Sequence, residues 1–121
     1  MSRTTYRGTP KAGLYTRLSV DDGYVDRESN SITSQKQMLT QFAGYHGIEI
    51  VETYVDDGWS GTNFERPDFK RMIADIESGK INTVITKDLS RLGRDYLQTG
   101  YYTDMYFPSK RVRYIAISDG I

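Results

Sequence analysis

The chain has 121 residues, enough for one domain around a single core and too few for a second module of comparable size. Its 16 basic and 16 acidic residues cancel, and the isoelectric point of about 6.6 argues against tight duplex binding by this segment alone, since a freestanding DNA-binding domain is normally basic. With no cysteine and a single histidine, His46, the composition disfavours disulfides, thiolate catalysis, the usual zinc sites and histidine-rich metal centres.

Met1 to Pro10 is polar and carries Arg3 and Arg7, with no apolar run after it of the kind a secretory signal requires. It is expected to be a flexible arm over residues 1–10, with the folded domain over 11–121. No segment approaches the roughly 20 apolar residues needed to cross a bilayer, so a cytoplasmic protein with no membrane partner is expected.

The first strand is predicted over Ala12 to Leu18. Arg17 and Ser19 stand two apart, so on a strand they project from one face, a cation beside a hydroxyl at the strand's carboxyl end, where open α/β sheets hold ligands. That pairing suits a nucleophile directed at phosphate. Asp21, Asp22 and Gly23 follow, and Val20 to Asn30 reads as a polar surface loop.

A helix is predicted from Ser31 as N-cap, with Ile32, Gln35, Met38, Leu39 and Phe42 on one face and Gly47 as its stop. Gln35 on that inward stripe is either a helix-end spacer or an active-site group. Ile48 to Val55 has the β-branched and aromatic content of a strand, and Asp56 to Arg66 that of a mobile loop. Pro67 opens a second helix with Phe69, Met72, Ile73 and Ile76 inward and Gly79 ending it. Arg66, just before that helix, is doubly electropositive and suits an anion.

Thr83 to Thr86 reads as a short buried strand. Arg91 and Arg94 follow it, three apart and on one face if helical, with Gly93 allowing close approach. A helix from about Tyr96 to Phe107 stopped by Pro108, then a strand from Arg113 to Ser118, complete a β-α-β-α-β-α-β pattern. The fold class is α/β, a mostly parallel central sheet flanked by helices. Arg17, Arg66, Arg91 and Arg94 then lie on one rim, and arginine's planar fork matches phosphate oxygens; singly, each also reads as a surface salt bridge. Tyr96, Tyr101, Tyr102 and Tyr106 at helical spacing read as core or interface, His46 as a helix-end interaction, and Trp59 as a loop aromatic facing DNA, a partner subunit or the sheet.

Taken in order, Tyr15-Thr16-Arg17-Leu18-Ser19, Ser31-Ile32-Thr33-Ser34-Gln35, Ser60-Gly61 with Glu65-Arg66, and Arg91-Leu92-Gly93-Arg94-Asp95 resemble the successive motifs of the resolvase/invertase serine recombinases, over nearly the whole chain. The resemblance implies a resolvase-like catalytic domain in which Ser19 attacks a DNA phosphodiester and forms a 5′-phosphoserine bond, followed by strand exchange and religation. By the same analogy Arg17, Arg66, Arg91 and Arg94 bind the scissile phosphate, while Gln35 and Ser60 position it. No cofactor and no metal are implied. Double-stranded DNA is the implied partner, with homodimers pairing to a tetramer in the full-length protein.

Two features depart from the small resolvases. They place Asp before R-L-G-R, whereas this chain has Ser90 there and Asp88 two residues earlier, so the proton donor to the leaving 3′-oxygen is Arg94 or Asp88. The loop between Ser19 and Gln35 is longer and looks like that of the large serine integrases and transposases. The family continues into a long helix and a DNA-binding region, so a chain ending at Asp119-Gly120-Ile121 is expected to be truncated at its C-terminal end, to fold, and not to recombine DNA by itself. The competing classes are a receiver-like signalling domain, suggested by Asp21, Asp22 and Lys87, and a catalytically silent dimerisation module; the receiver reading needs an aspartate at the end of the central strand, which Val84-Ile85-Thr86 does not supply. A serine hydrolase lacks a histidine placed to activate Ser19.

Overall fold

The computed structural model describes residues 9–19 and 30–121. Most of the N-terminal arm and of the Val20–Asn30 loop, with Asp21 and Asp22, lies outside the described residues. Four parallel strands, β1 (Lys11–Leu18), β2 (Glu49–Asp57), β3 (Thr83–Thr86) and β4 (Arg113–Ala116), form one sheet in the order β2-β1-β3-β4. The helices are α1 (Ile32–Tyr45), α2 (Pro67–Glu77), the short α3 (Leu89–Leu92) and α4 (Tyr96–Tyr101), which runs on through wider turns at Tyr102–Tyr106 to a last turn at Phe107–Ser109.

Alternation along the strands divides the core between the two faces of the sheet. Ala12, Leu14, Ile85 and Ile115 pack with Leu39 and Ala43 of α1. On the other face Tyr15, Tyr54 and Val84 join Phe69, Met72 and Ile76 of α2, together with Phe64, Leu92 and Phe107. β1 is therefore covered on both sides, and its odd-numbered residues, Tyr15 and Arg17, point toward α2 and α3.

Ser31 caps α1 by accepting from the Ser34 N–H at 3.1 Å, and Gly47 and Gly79 take the positive φ that follows α1 and α2. His46 is the C-cap of α1, its ring 4.2 Å from that of Phe42.

Four local expectations are corrected. β2 continues through Asp56 and Asp57, because the Asp56 side chain is recruited into the core instead of turning to solvent. α3 ends at Leu92 and Gly93 is extended, so Arg91 and Arg94 do not share a helical face. Pro108 does not stop the last helix: the Phe107 N–H reaches back to the Tyr102 carbonyl, and these wider turns accommodate a ring that cannot donate. β4 ends at Ala116, because the Ser118 N–H bonds the Lys87 carbonyl at 2.7 Å and Asp119 Oδ2 accepts from the Leu89 N–H at 2.6 Å, turning the chain onto the start of α3. Of the four tyrosines, Tyr102 and Tyr106 are half-buried among aromatic rings, whereas Tyr96 and Tyr101 are exposed. No helix among the described residues is long and apolar enough to cross a membrane.

Candidate active site

The β1–β3 ladder ends at the Leu14↔Ile85 pair, whereas β1 continues to Leu18 against β2. Beyond Leu14, side chains take the place of β3. Gln35 on α1 accepts from the Arg17 N–H at 3.2 Å and donates from Nε2 to the Arg17 carbonyl at 2.9 Å and to the Asn30 carbonyl at 2.7 Å. A fully buried amide thus pairs with the backbone like a strand residue and braces the end of β1, two residues from Ser19.

Arg17 is fully buried. Its Nε donates to the Arg91 carbonyl at 3.2 Å, Nη1 to the Trp59 carbonyl at 3.0 Å, and Nη2 to the Ser90 carbonyl. One guanidinium ties the end of β1 to the loop after β2 and to α3. Arg91 returns the contact, donating from Nη1 to the Arg17 carbonyl at 2.8 Å.

Arg66, also fully buried, donates from Nε to the Asn63 carbonyl at 2.6 Å, from Nη2 to the Leu92 carbonyl at 2.6 Å, and from Nη1 to the Tyr15 hydroxyl at 2.8 Å. Its guanidinium lies 4.6 Å from the centre of the Phe64 ring and 4.8 Å from that of Phe69. The position before α2 is not open to an anion from solvent: the Asp68 and Phe69 N–H groups are bonded to the Asp56 carboxylate, and the Arg66 side chain turns inward. Burial holds the Tyr15 phenol well above its ordinary pKa, against the opposing pull of Arg66 and with the help of the Asp56 carboxylate.

Ser90 occupies the place where the small resolvases carry Asp. Its hydroxyl donates to Asp88 Oδ1 and accepts from Arg91 Nη2 at 3.1 Å. Asp88 caps α3 through the Arg91 N–H at 3.2 Å. Burial opposes charge on Asp88, yet the Ser90 hydroxyl, Arg91 and Lys87 together hold its carboxyl below the usual carboxylate value. An ionised cap is a poor proton donor. Arg94 is exposed, and its backbone N–H bonds the Gly61 carbonyl at 2.7 Å. A Cβ on Gly61 would lie 2.7 Å from Arg94 Cγ and 2.9 Å from Arg17 Nη2, so only glycine lets that loop seat between the two arginines.

Ser19 is half-buried, immediately beyond β1, and the Leu18 carbonyl before it accepts from the Gly58 N–H at 2.6 Å. Ser60, two residues further, accepts from the Thr62 N–H at 3.2 Å. The fold thus gathers the backbone around Arg17, Ser19, Gln35, Ser60 and Ser90 to Arg94 at one end of β1. Arg66 joins from beneath, and the four arginines are not one exposed rim: three are interior and one is at the surface. Sequence reading missed Asp56 and Tyr15 in this cluster. The signal for Asp56 was present, since Pro67 opens α2 behind an Arg that cannot cap it, so a cap had to come from elsewhere.

The sequence matches the model for "Resolvase, N terminal domain" over residues 12–120. The structure is similar to the N-terminal catalytic domain of TP901-1 integrase, with a TM-score of 0.81 and 33% identity, covering 92% of this chain and 79% of that one. It is also similar to a resolvase family site-specific recombinase from Streptococcus pneumoniae, with a TM-score of 0.72 and 34% identity over 93% of this chain and 75% of that one. A protein of Bacillus subtilis (strain 168) named "Putative DNA recombinase" is 35% identical over 81 residues, 67% of this chain; the match spans 15% of that relative's length. With the motif series seated around the end of β1 on this four-stranded parallel sheet, the chain belongs to the resolvase N-terminal domain family, the catalytic domains of the serine recombinases.

Proposed function

We propose that this domain carries out the cleavage and rejoining steps of a site-specific DNA recombinase, with Ser19 as the nucleophile. The observation that carries the reading is the bonding of Arg17, two residues before Ser19, to both the Trp59 and the Arg91 carbonyls, which draws the Ser60 loop and the Arg91–Arg94 segment to the serine-bearing end of β1. Ser19 Oγ attacks the phosphorus, the bond from phosphorus to O3′ breaks, the serine proton passes to solvent or a nearby base, and the departing 3′-oxygen takes up a proton. The 5′-phosphoryl group stays on Ser19 as an ester, so a 3′-hydroxyl reverses the step without ATP. Guanidinium groups supply the positive charge that a phosphoryl-transfer transition state needs. Exposed Arg94 contacts the phosphate; Asp88, held ionised, supports Arg91, which favours Arg94 as the donor to the leaving oxygen. Double-stranded DNA is the substrate. Because exchange needs two nucleophiles per duplex, the complete protein works as dimers paired into a tetramer.

The test joins this domain to the dimerising helix and DNA-binding domain of a serine recombinase with a known site and incubates it with that site in excess EDTA. Wild type yields protein-linked DNA on a denaturing gel, and Ser19→Ala shifts the duplex but yields none. Equal linkage by Ser19→Ala removes Ser19 from the mechanism, and cleavage without linkage that is lost in EDTA and restored only by magnesium points to a metal nuclease.

A further inference from the structure

We infer that Asp56 and Tyr15 form a positioning pair that sets the arginines of the site through Arg66, an inference that rests on the recombinase reading above. Asp56 is 2% exposed near the end of β2. Its Oδ1 accepts from the Asp68 N–H at 3.0 Å and its Oδ2 from the Phe69 N–H at 2.9 Å, capping a helix whose N-cap residue, Arg66, offers no side-chain cap and whose first residue, Pro67, has no N–H. Capping alone does not need a third ligand. Yet Oδ2 also accepts from the Tyr15 hydroxyl at 2.7 Å, across the sheet on β1.

A phenol has one proton. Giving it to Asp56 turns the oxygen lone pairs elsewhere, and Arg66 Nη1 donates to them at 2.8 Å. The sequence carboxylate, phenol, guanidinium is directional, and it connects a fully buried cation to a buried anion. Arg66 then holds the Arg91 carbonyl at 3.3 Å and the Leu92 carbonyl at 2.6 Å. The Arg91 carbonyl is the same oxygen that receives Arg17 Nε at 3.2 Å, and Arg91 Nη1 bonds back to the Arg17 carbonyl. Asp56 and Tyr15 therefore act on the reaction through a continuous run of bonds that ends two residues from Ser19, touching no substrate themselves.

Tyr15→Phe separates this role from capping, because it removes one hydroxyl and leaves both Asp56-to-amide bonds. In the 121-residue chain labelled with 15N, exchange of the Arg66 and Arg17 Nε–H protons should speed up about tenfold or more in Tyr15→Phe, while the Leu39 and Ala43 amides stay protected. In the recombinase fusion, Tyr15→Phe and Asp56→Asn should slow single-turnover formation of Ser19-linked DNA by about ten- to a hundredfold per folded molecule, with duplex affinity unchanged. Ile76→Ala, which weakens α2 from its far end, should keep the wild-type rate per folded molecule. Unchanged guanidinium exchange in Tyr15→Phe overturns the inference, as does a rate loss that the unfolded fraction accounts for in full. If wild type forms no Ser19-linked DNA, the recombinase reading fails, while guanidinium exchange still decides whether the pair positions the arginines.

Discussion

Arg17, Arg66 and Arg91 are each no more than 2% exposed, their guanidiniums bonded to backbone carbonyls, whereas Arg94, whose N–H meets the Gly61 carbonyl, carries its side chain at the surface. A buried guanidinium is expensive to desolvate and is kept where it satisfies acceptors that nothing else reaches. Here those acceptors are carbonyls of the loop between β2 and α2, of the one-turn helix α3 and of the end of β1, and the loop and the single turn have too few backbone partners to hold a shape alone. The three interior arginines therefore build the floor of the site and give it a positive field. The exposed one is the arginine that, under the proposed function, meets the phosphate. Stability and reactivity should consequently separate between the two regions, and substitutions can break or sharpen that contrast.

The largest stability effect is expected from Arg17→Ala. It removes the donor from the Arg91, Trp59 and Ser90 carbonyls at once and should cost about 3–5 kcal/mol in urea unfolding of the chain. A loss below about 1 kcal/mol would show that the loops stand without the guanidinium, and the contrast would collapse.

Gly93→Ala comes next. Its Cβ would lie 2.2 Å from Phe64 Cζ and 2.6 Å from Thr99 Oγ1, and Phe64 is wedged against the Arg66 guanidinium. Overpacking there should cost about 1–3 kcal/mol, read as a lower urea midpoint at an unchanged slope. Gly61→Ala should cost a similar amount, because its Cβ would meet Arg94 Cγ and the buried Arg17 guanidinium and displace both.

A smaller effect is expected at Asp88, with a definite dependence on pH. Its carboxyl is held below the ordinary value in the folded chain, so its contribution is present above the unfolded-state pKa of about 4 and is lost as pH falls through the lowered folded value. The stability difference between wild type and Asp88→Asn should be constant from about pH 5 to 7 and shrink below that. A difference that grows on acidification would contradict the assignment of Asp88 as an ionised cap.

The division between interior and exposed arginines was not legible in the sequence, although most of the fold was. Pro67 at the first turn of α2, the apolar run Thr83–Thr86 and the stripe around Leu39 each follow from local chemistry, and each element stands where that chemistry predicts. The fate of a guanidinium depends instead on carbonyls supplied by segments distant in sequence: Arg17 meets Trp59, Ser90 and Arg91, and no periodicity encodes that. The same holds for Asp56, which reads as loop until Tyr15 and the α2 amides are brought beside it. Arg91 and Arg94 misled for a simpler reason. Three-residue spacing puts two side chains on one face only while the helix lasts, and this one ends between them.

The smallest stability effect and the sharpest test of the contrast come from Arg94. Its side chain is exposed, and its backbone N–H, which any residue but proline supplies, bonds the Gly61 carbonyl. Arg94→Ala should therefore change stability by less than about 0.5 kcal/mol. In the recombinase fusion the same change should leave duplex affinity nearly intact, since one phosphate contact is a small part of a DNA footprint, and still abolish Ser19-linked DNA. Arg94→Lys should fall well short of wild type, because an ammonium point charge cannot grip two phosphate oxygens as a planar fork does. Arg17→Lys should fail for another reason, losing stability along with activity, because a fully buried ammonium cannot span the Arg91, Trp59 and Ser90 carbonyls together. Matched losses of stability in Arg17→Lys and Arg94→Lys, or wild-type cleavage by Arg94→Ala, would erase the distinction between arginines that build the site and the arginine that meets the phosphate.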